Sequence, residues 1–155
     1  MKMETDLKRQ TGGTSGSSEQ LVTFKVDGQI FGISALRVRD VLRQQPLTKV
    51  PLASPEIEGA INLRGHIVTA ISVRARLGAP PRAEGAPMMC VVVDGGGESF
   101  CLIVDSVGDV ISVKSSDVEP NPGALQAAWA QMARGVYRAP DHLLLLLDVD
   151  QLLAL

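Results

Sequence analysis

Aromatic side chains are scarce in this chain: one Trp, one Tyr and three Phe among 155 residues. A surface that stacks successive bases is therefore poorly supplied, and any interior has to be filled by Val, Leu and Ile. No Lys/Arg block stands out, and 15 basic against 17 acidic residues leave a formal charge of −2. That balance argues against nucleic-acid binding, which leaves a basic stripe. Leu143 to Leu147 has the length of a strand, and no apolar run approaches the roughly 18–20 residues that span a bilayer. No direct membrane insertion is expected. The N-terminus lacks an apolar h-region with a small-residue cleavage site. With only two cysteines, this points to a reducing, cytoplasmic setting.

Catalytic signatures are equally sparse. GxxxxGK[ST], GxGxxG and GxSxG do not occur. Gly95-Gly96-Gly97 lies between two apolar strand-like runs, whereas a phosphate cradle leads into a helix N-terminus; it reads as a hairpin tip. His66 and His142 are far apart and lack HExxH or other ligand spacing. No metal, no cofactor and no enzymatic activity are expected. Cys90 and Cys101 flank the glycine triplet. A turn at Gly95-Gly96 sets them directly opposite, where a cross-strand disulfide is conceivable, and a one-residue shift of the turn abolishes that pairing. Small buried thiols are the simpler reading.

What the chain does contain is a repeat. Phe31-Gly-Ile-Ser-Ala-Leu-Arg-Val38-Arg-Asp40-Val41-Leu42 matches Phe100-Cys-Leu-Ile-Val-Asp-Ser-Val107-Gly-Asp109-Val110-Ile111. Each copy follows an apolar run and a Gly-containing turn, Asp27-Gly28 in one case and the glycine triplet in the other. Two copies are too few for a solenoid and point to two similar lobes. Residues 1–19, polar and Gly/Ser-rich, read as a flexible tail before a domain spanning 20–155.

Val22, Phe24 and Val26 alternate with polar residues as in a half-buried strand. Ser34 is placed to cap a short helix carrying Leu36 and Val38 and ending near Asp40. Leu47 to Val50 reads as strand between Pro46 and Pro51. Ile61 and Leu63 lead to a tip at Arg64-Gly65, and Ile67, Thr69, Ile71 and Val73 alternate on the return. Arg74 to Leu77 is suited to one helical turn. Gly78 to Pro87, rich in Pro, Gly and Ala, is the candidate connector between lobes. Residues 117–126 read as a long irregular loop, with strand resuming near Gly135-Val136. Leu143 to Leu147 is apolar on both faces, hence central, and Asp148 is placed to cap a terminal helix. About ten short strands with turns every eight to twelve residues predict an all-β barrel or sandwich. Arg64, at a hairpin tip between apolar runs, can offer forked hydrogen bonds to a partner; the alternative is an ordinary solvated turn arginine.

Gly59-Ala-Ile-Asn-Leu-Arg-Gly65-His-Ile-Val68 closely resembles the G-x-x-N-L-R-G core of CheW-like proteins. Phe31-Gly-Ile33 with Val38-x-Asp40-Val41, Val104-Asp105-x-Val107-x-Asp109-Val110, Gly135-Val136 and Leu143 to Asp148 resemble further parts of that family, in order, from about Leu21 to Leu155. The resemblance implies two SH3-like, five-stranded β-barrel subdomains around a shared aliphatic core. It also implies a non-enzymatic adaptor in chemotaxis signalling that binds a chemoreceptor's cytoplasmic hairpin tip and the regulatory domain of a CheA-type histidine kinase. By that likeness Arg64, Val38, Asp40 and Gly59 line or support the receptor groove, and Leu47 matches a kinase-coupling position. From the residues alone, Val38 has a core alternative, Asp40 a local salt bridge, and Gly59 a purely backbone role.

Some residues depart from the pattern. Ala70-Ile-Ser72-Val73-Arg74 stands where the family commonly has Pro-x-x-Asp-Leu-Arg. His66 replaces a small or aliphatic residue beside Arg64, setting a titratable ring next to the receptor position. A divergent relative that has lost one interface, acting as array cap or competitor in a non-flagellar motility system, is the alternative function.

Overall fold

Alternating Val22, Phe24 and Val26 build β1 (Ser18–Val26), which turns at Asp27-Gly28 into β2 (Gln29–Ser34). Both turn residues have positive φ, +51° and +79°, the conformation that matches the twist of a two-residue hairpin. The structure, a computed structural model, describes residues 17–123 and 125–154. β1 starts at Ser18, ahead of the Gln20 boundary read from the sequence. It is held there by a 2.8 Å ion pair between Glu19 and Arg134. The rest of the expected tail, residues 1–16, lies outside the described residues.

The chain continues through a 3-10 turn (Ala35–Arg37), β3 (Val38–Arg43), β4 (Ile57–Leu63), β5 (His66–Ser72), α1 (Val73–Arg76), β6 (Met89–Gly95) and β7 (Glu98–Val104). There follow β8 (Ser106–Lys114), β9 (Val118–Glu119), α2 (Ala127–Met132), β10 (Ala133–Arg138), β11 (Leu143–Leu147) and α3 (Val149–Leu153). The strands form a six-stranded sheet, β8-β1-β2-β11-β10-β9, and a five-stranded sheet, β3-β6-β7-β5-β4. The mainly-β reading with two lobes holds. Each sheet is open rather than closed, and the sixth strand of the larger one is the two-residue β9.

The repeat has a topological meaning. Each copy is the second strand of a hairpin followed by a third strand that leaves for the other sheet. β3 pairs with β6, and β8 pairs with β1. A β-bulge interrupts each of these pairings at the same point of the motif, between Val38 and Asp40 in β3 and between Val107 and Val110 in β8. Bulges bend a strand and re-aim its side chains. Each lobe also adds a parallel strand, β11 on β2 and β5 on β7, leading into a capped helical turn. The Ser72 hydroxyl accepts the Ala75 amide, and the Asp148 carboxylate accepts those of Asp150 and Gln151.

The core follows the strand periodicity. Leu145 and Leu147 enter a cluster shared by both sheets, with Phe24, Phe31, Ile71 and Leu102. Leu144 and Leu146 point the other way, into a cluster of their own lobe with Leu21 and Val113. The five-leucine strand is apolar on both faces for that reason. In the five-stranded lobe, Ile61, Val68, Cys90, Cys101 and Ile103 form the corresponding cluster.

Several sequence expectations are corrected. Residues 78–87 join α1 to β6 within one sheet and so do not connect the lobes; the chain passes between sheets at Ala35–Arg37 and at Asp105. Proline and glycine mark a surface loop without saying which sheets it joins. Val38 lies on a strand rather than a helix, because β-branched Val38 and Val41 pair with Val93 and Val91 in the ladder. Leu47 to Val50 contributes one isolated bridge, Thr48 to Ala60, in place of a strand. Pro46 and Pro51, which bound this run, cannot donate to a ladder. The hairpin turn is Gly96-Gly97, so Cys90 faces Ile103 and Cys101 faces Val92; the two thiols are free and buried. Ala127–Met132 is a helix where only loop and strand were expected.

Candidate functional site

The β4–β5 hairpin turns at Arg64 and Gly65, with φ of +52° and +85°. Glycine takes this conformation freely, while arginine does so at some cost. The Asn62 carboxamide oxygen steadies the turn by accepting the Gly65 amide at 3.1 Å. Arg64 is thereby held out from the sheet, its side chain 88% exposed, with Nη2 3.5 Å from an Asp40 carboxylate oxygen. Asp40 lies just past the bulge of β3, its side chain 41% exposed, and accepts the Val41 amide at 2.9 Å. At 3.5 Å and this exposure the pair is a weak tether that a partner can replace.

Between β3, this hairpin and the β6–β7 turn lies an open groove of about 590 Å³. Buried Val68 and Val92 and half-buried Leu42 and Phe100 provide apolar surface. Arg39, Arg64, His66, Ile67 and Glu98 line the groove from exposed positions. Arg39 is paired with Asp94. Apolar surface with a few charged groups suits a protein segment. Among the described residues no cluster of three or more His, Cys, Asp or Glu is placed to hold a metal, and no helix is long and apolar enough to cross a membrane.

The structure brings Arg64 and Asp40 together in the groove and places the other three candidates elsewhere. Val38 is half-buried against the shared core and sits at the bulge that orients Asp40. Gly59 is buried in β4, where a Cβ would come within 2.6 Å of the Thr48 carbonyl oxygen. Its role is to let residues 47–48 approach, and Thr48 and Ala60 then exchange hydrogen bonds of 2.9 and 2.8 Å. Leu47 is half-buried against the Ile61 cluster and does not line the groove. Arg39, Ile67 and Glu98 were missed. Ile67 reads as a core position in the alternation of β5, yet it is 73% exposed. Arg39 occupies the bulge position of the repeat, the one signal that could have singled it out.

The other lobe repeats the construction with Lys25 as the one charged side chain among the described residues lining its cleft. Gly135 is buried beside a bulge of β10, close to Val118 and Glu119 as Gly59 is to Leu47 and Thr48. A smaller cleft of about 260 Å³ is lined by Thr23, Lys25, Ile30 and Val107. The crossovers are pinned alike but with charges exchanged. Arg74 of α1 grips Asp105 through two bonds of 2.9 and 2.7 Å, while Asp150 of α3 accepts Arg37 at 2.7 Å. Burial alone raises the Asp105 carboxyl, but the Arg74 hydrogen bonds and the Asp27 amide outweigh it and hold it below the usual carboxylate range. The Arg37 hydrogen bond likewise lowers Asp150.

Fold and groove together define a two-lobed β domain with an open, partly apolar groove on one lobe. The chain matches the CheW-like domain family over residues 20–155 and belongs to that family. It is 29% identical to chemotaxis protein CheW of Rhizobium meliloti (strain 1021), over 88% of each chain. To chemotaxis protein CheW of Bacillus subtilis (strain 168) it is 28% identical, again over 88% of each. Its fold is similar to that of the scaffolding protein TtCheW from Thermoanaerobacter tengcongensis, with a TM-score of 0.79 and 26% identity over 88% of this chain and 93% of that one.

Proposed function

We propose that this chain is a non-enzymatic cytoplasmic scaffold that couples a chemoreceptor to a CheA-type histidine kinase in chemosensory signalling. The observation that carries the reading is the groove itself, where apolar Leu42, Val68 and Val92 lie beside the loosely tethered Arg64–Asp40 pair. Such a surface fits the helical tip of a receptor, with Arg64 as the anchor and Asp40 holding it ready. Relatives named for chemotaxis and a scaffolding protein of the same fold support it. Leu47, which packs against the Ile61 cluster and does not line the groove, is assigned to kinase contact. Coupling then consists of holding two partners in register, with no bond made or broken. Each contact would bury on the order of 800 Å² per partner, enough for specificity yet reversible.

The test is capture of a receptor cytoplasmic fragment and of the kinase regulatory domain by the purified chain, with wild type and Arg64→Ala. Binding of both, with receptor affinity weakened by about 1–3 kcal/mol in the variant and kinase affinity kept, is the expected result. Binding of one partner only would favour a cap or competitor, and binding of neither would sink the reading.

A further inference from the structure

Phe31 and Phe100 open the two copies of the repeat, and each is paired with a parallel strand, Phe31 with Leu145 and Phe100 with Thr69. Two residues earlier on each strand, on the same face by alternation, stand Gln29 and Leu143 in one lobe and Glu98 and Ile67 in the other. The two pairs are finished differently. In the six-stranded lobe the Gln29 carboxamide donates to the Leu143 carbonyl at 2.7 Å, and Leu143 packs half-buried against the shared core. In the five-stranded lobe the pair is left open. Ile67 is 73% exposed, and the exposed Glu98 carboxylate makes no hydrogen bond or ion pair with any described residue. Both line the groove.

The other charges of the groove are matched. Arg39 of β3 is engaged by Asp94 of β6, and Arg64 at the β4–β5 tip leans toward Asp40 of β3. With His66 counted neutral, the carboxylates of Asp40, Asp94 and Glu98 face the guanidinium groups of Arg39 and Arg64. Among the described residues the charge left over is therefore negative, and it belongs to Glu98. Beside it lies Ile67, an aliphatic side chain that the fold has not covered.

We infer that Ile67 and Glu98 form a subsite of this groove that takes a lysine or arginine side chain of the docking segment. Long basic side chains lay their alkyl stems along apolar surface and keep the charged head among polar groups. Here the stem lies on Ile67 and the head meets the Glu98 carboxylate. The subsite selects for a segment that presents a cation at this point, and it selects against one that presents a carboxylate there. Because the ion pair stays near solvent, it is worth about two- to five-fold in affinity, and that share shrinks as salt rises. The Ile67 contact is apolar and does not depend on salt in this way.

This inference rests on the coupling function proposed above, and one experiment separates the two. A labelled receptor cytoplasmic fragment is titrated with the purified chain at low and at high salt, followed by fluorescence anisotropy. Glu98→Gln should weaken binding about two- to five-fold at low salt and less at high salt, and Glu98→Lys should weaken it further. Ile67→Ala should cost about three- to ten-fold at both salts. All three should keep the wild-type urea midpoint, since neither side chain is buried. Replacing the lysines and arginines of the fragment by glutamine, one at a time, should yield one variant that binds the wild-type chain about two- to five-fold more weakly but loses nothing further against Glu98→Gln. Unchanged affinity of Glu98→Lys or of Ile67→Ala, or a fragment series in which every loss adds to that of Glu98→Gln, overturns the subsite and leaves the coupling function standing. No binding of the fragment by the wild-type chain overturns both.

Discussion

Replacing Gly59 by Ala is the sharpest probe of how the five-stranded lobe is built. The added methyl would sit 2.6 Å from the Thr48 carbonyl oxygen and 3.2 Å from its carbon, both backbone atoms that no rotamer change can remove. Two responses are open. If the strand yields in place, the cost is that of overpacking a close contact, about 1–3 kcal/mol. If residues 47–48 swing away, the two Thr48–Ala60 hydrogen bonds are lost, at about 0.5–1.5 kcal/mol each, and Leu47 leaves the Ile61 cluster. Both routes predict a loss of about 1–3 kcal/mol, readable as a lower urea midpoint at unchanged slope. Thr48→Gly in the same chain should not rescue it, because the clash is with main chain. A loss below about 0.5 kcal/mol, the range of neutral surface changes, would refute the close-approach account of Gly59. So would rescue by Thr48→Gly.

Three more outcomes follow from the same contacts. Leu145→Ala, emptying a site in the cluster shared by both sheets, should cost about 2–5 kcal/mol and lower both lobes in a single denaturant transition; two separated transitions would contradict a common core. Asp105→Asn removes a carboxylate held below its usual range by Arg74. That stabilisation is present above the carboxyl's ordinary titration range and is lost as pH falls through the lowered folded value. The variant should thus be less stable than wild type by about 1.5–3 kcal/mol near neutrality, with the gap closing in acid, measured by urea melts across pH. Cys90 and Cys101, both fully buried, should react with a thiol reagent only as fast as the chain opens, and fast labelling in the native state would contradict their burial.

Local features of the fold were legible because local chemistry decides them. Asp27-Gly28 and Arg64-Gly65 announce hairpins through the positive φ that such turns require, and the five leucines announce a strand buried on both faces. The partition into sheets was not legible. The third strand of each repeat pairs in the other lobe, a choice made by long-range packing that no local signal records. The short helix Ala127–Met132 escaped notice because Gln126 offers it no side-chain cap. A single residue of ambiguity within the glycine triplet was enough to leave open whether Cys90 faces Cys101, while their burial as small thiols was read correctly. At the site, the tip residues Arg64 and His66 could be found by position. Ile67 could not, since alternation fixes only which residues share a face, and the exposure of that face depends on where the sheet ends.

The most direct test of the coupling function is co-capture of the kinase on an immobilised receptor fragment, measured with and without this chain. Kinase retention should require the chain and should fall at least several-fold with Arg64→Ala, while the variant still binds kinase in solution. Kinase retention that is unaffected by the chain, or by the loss of the Arg64 side chain, would contradict it.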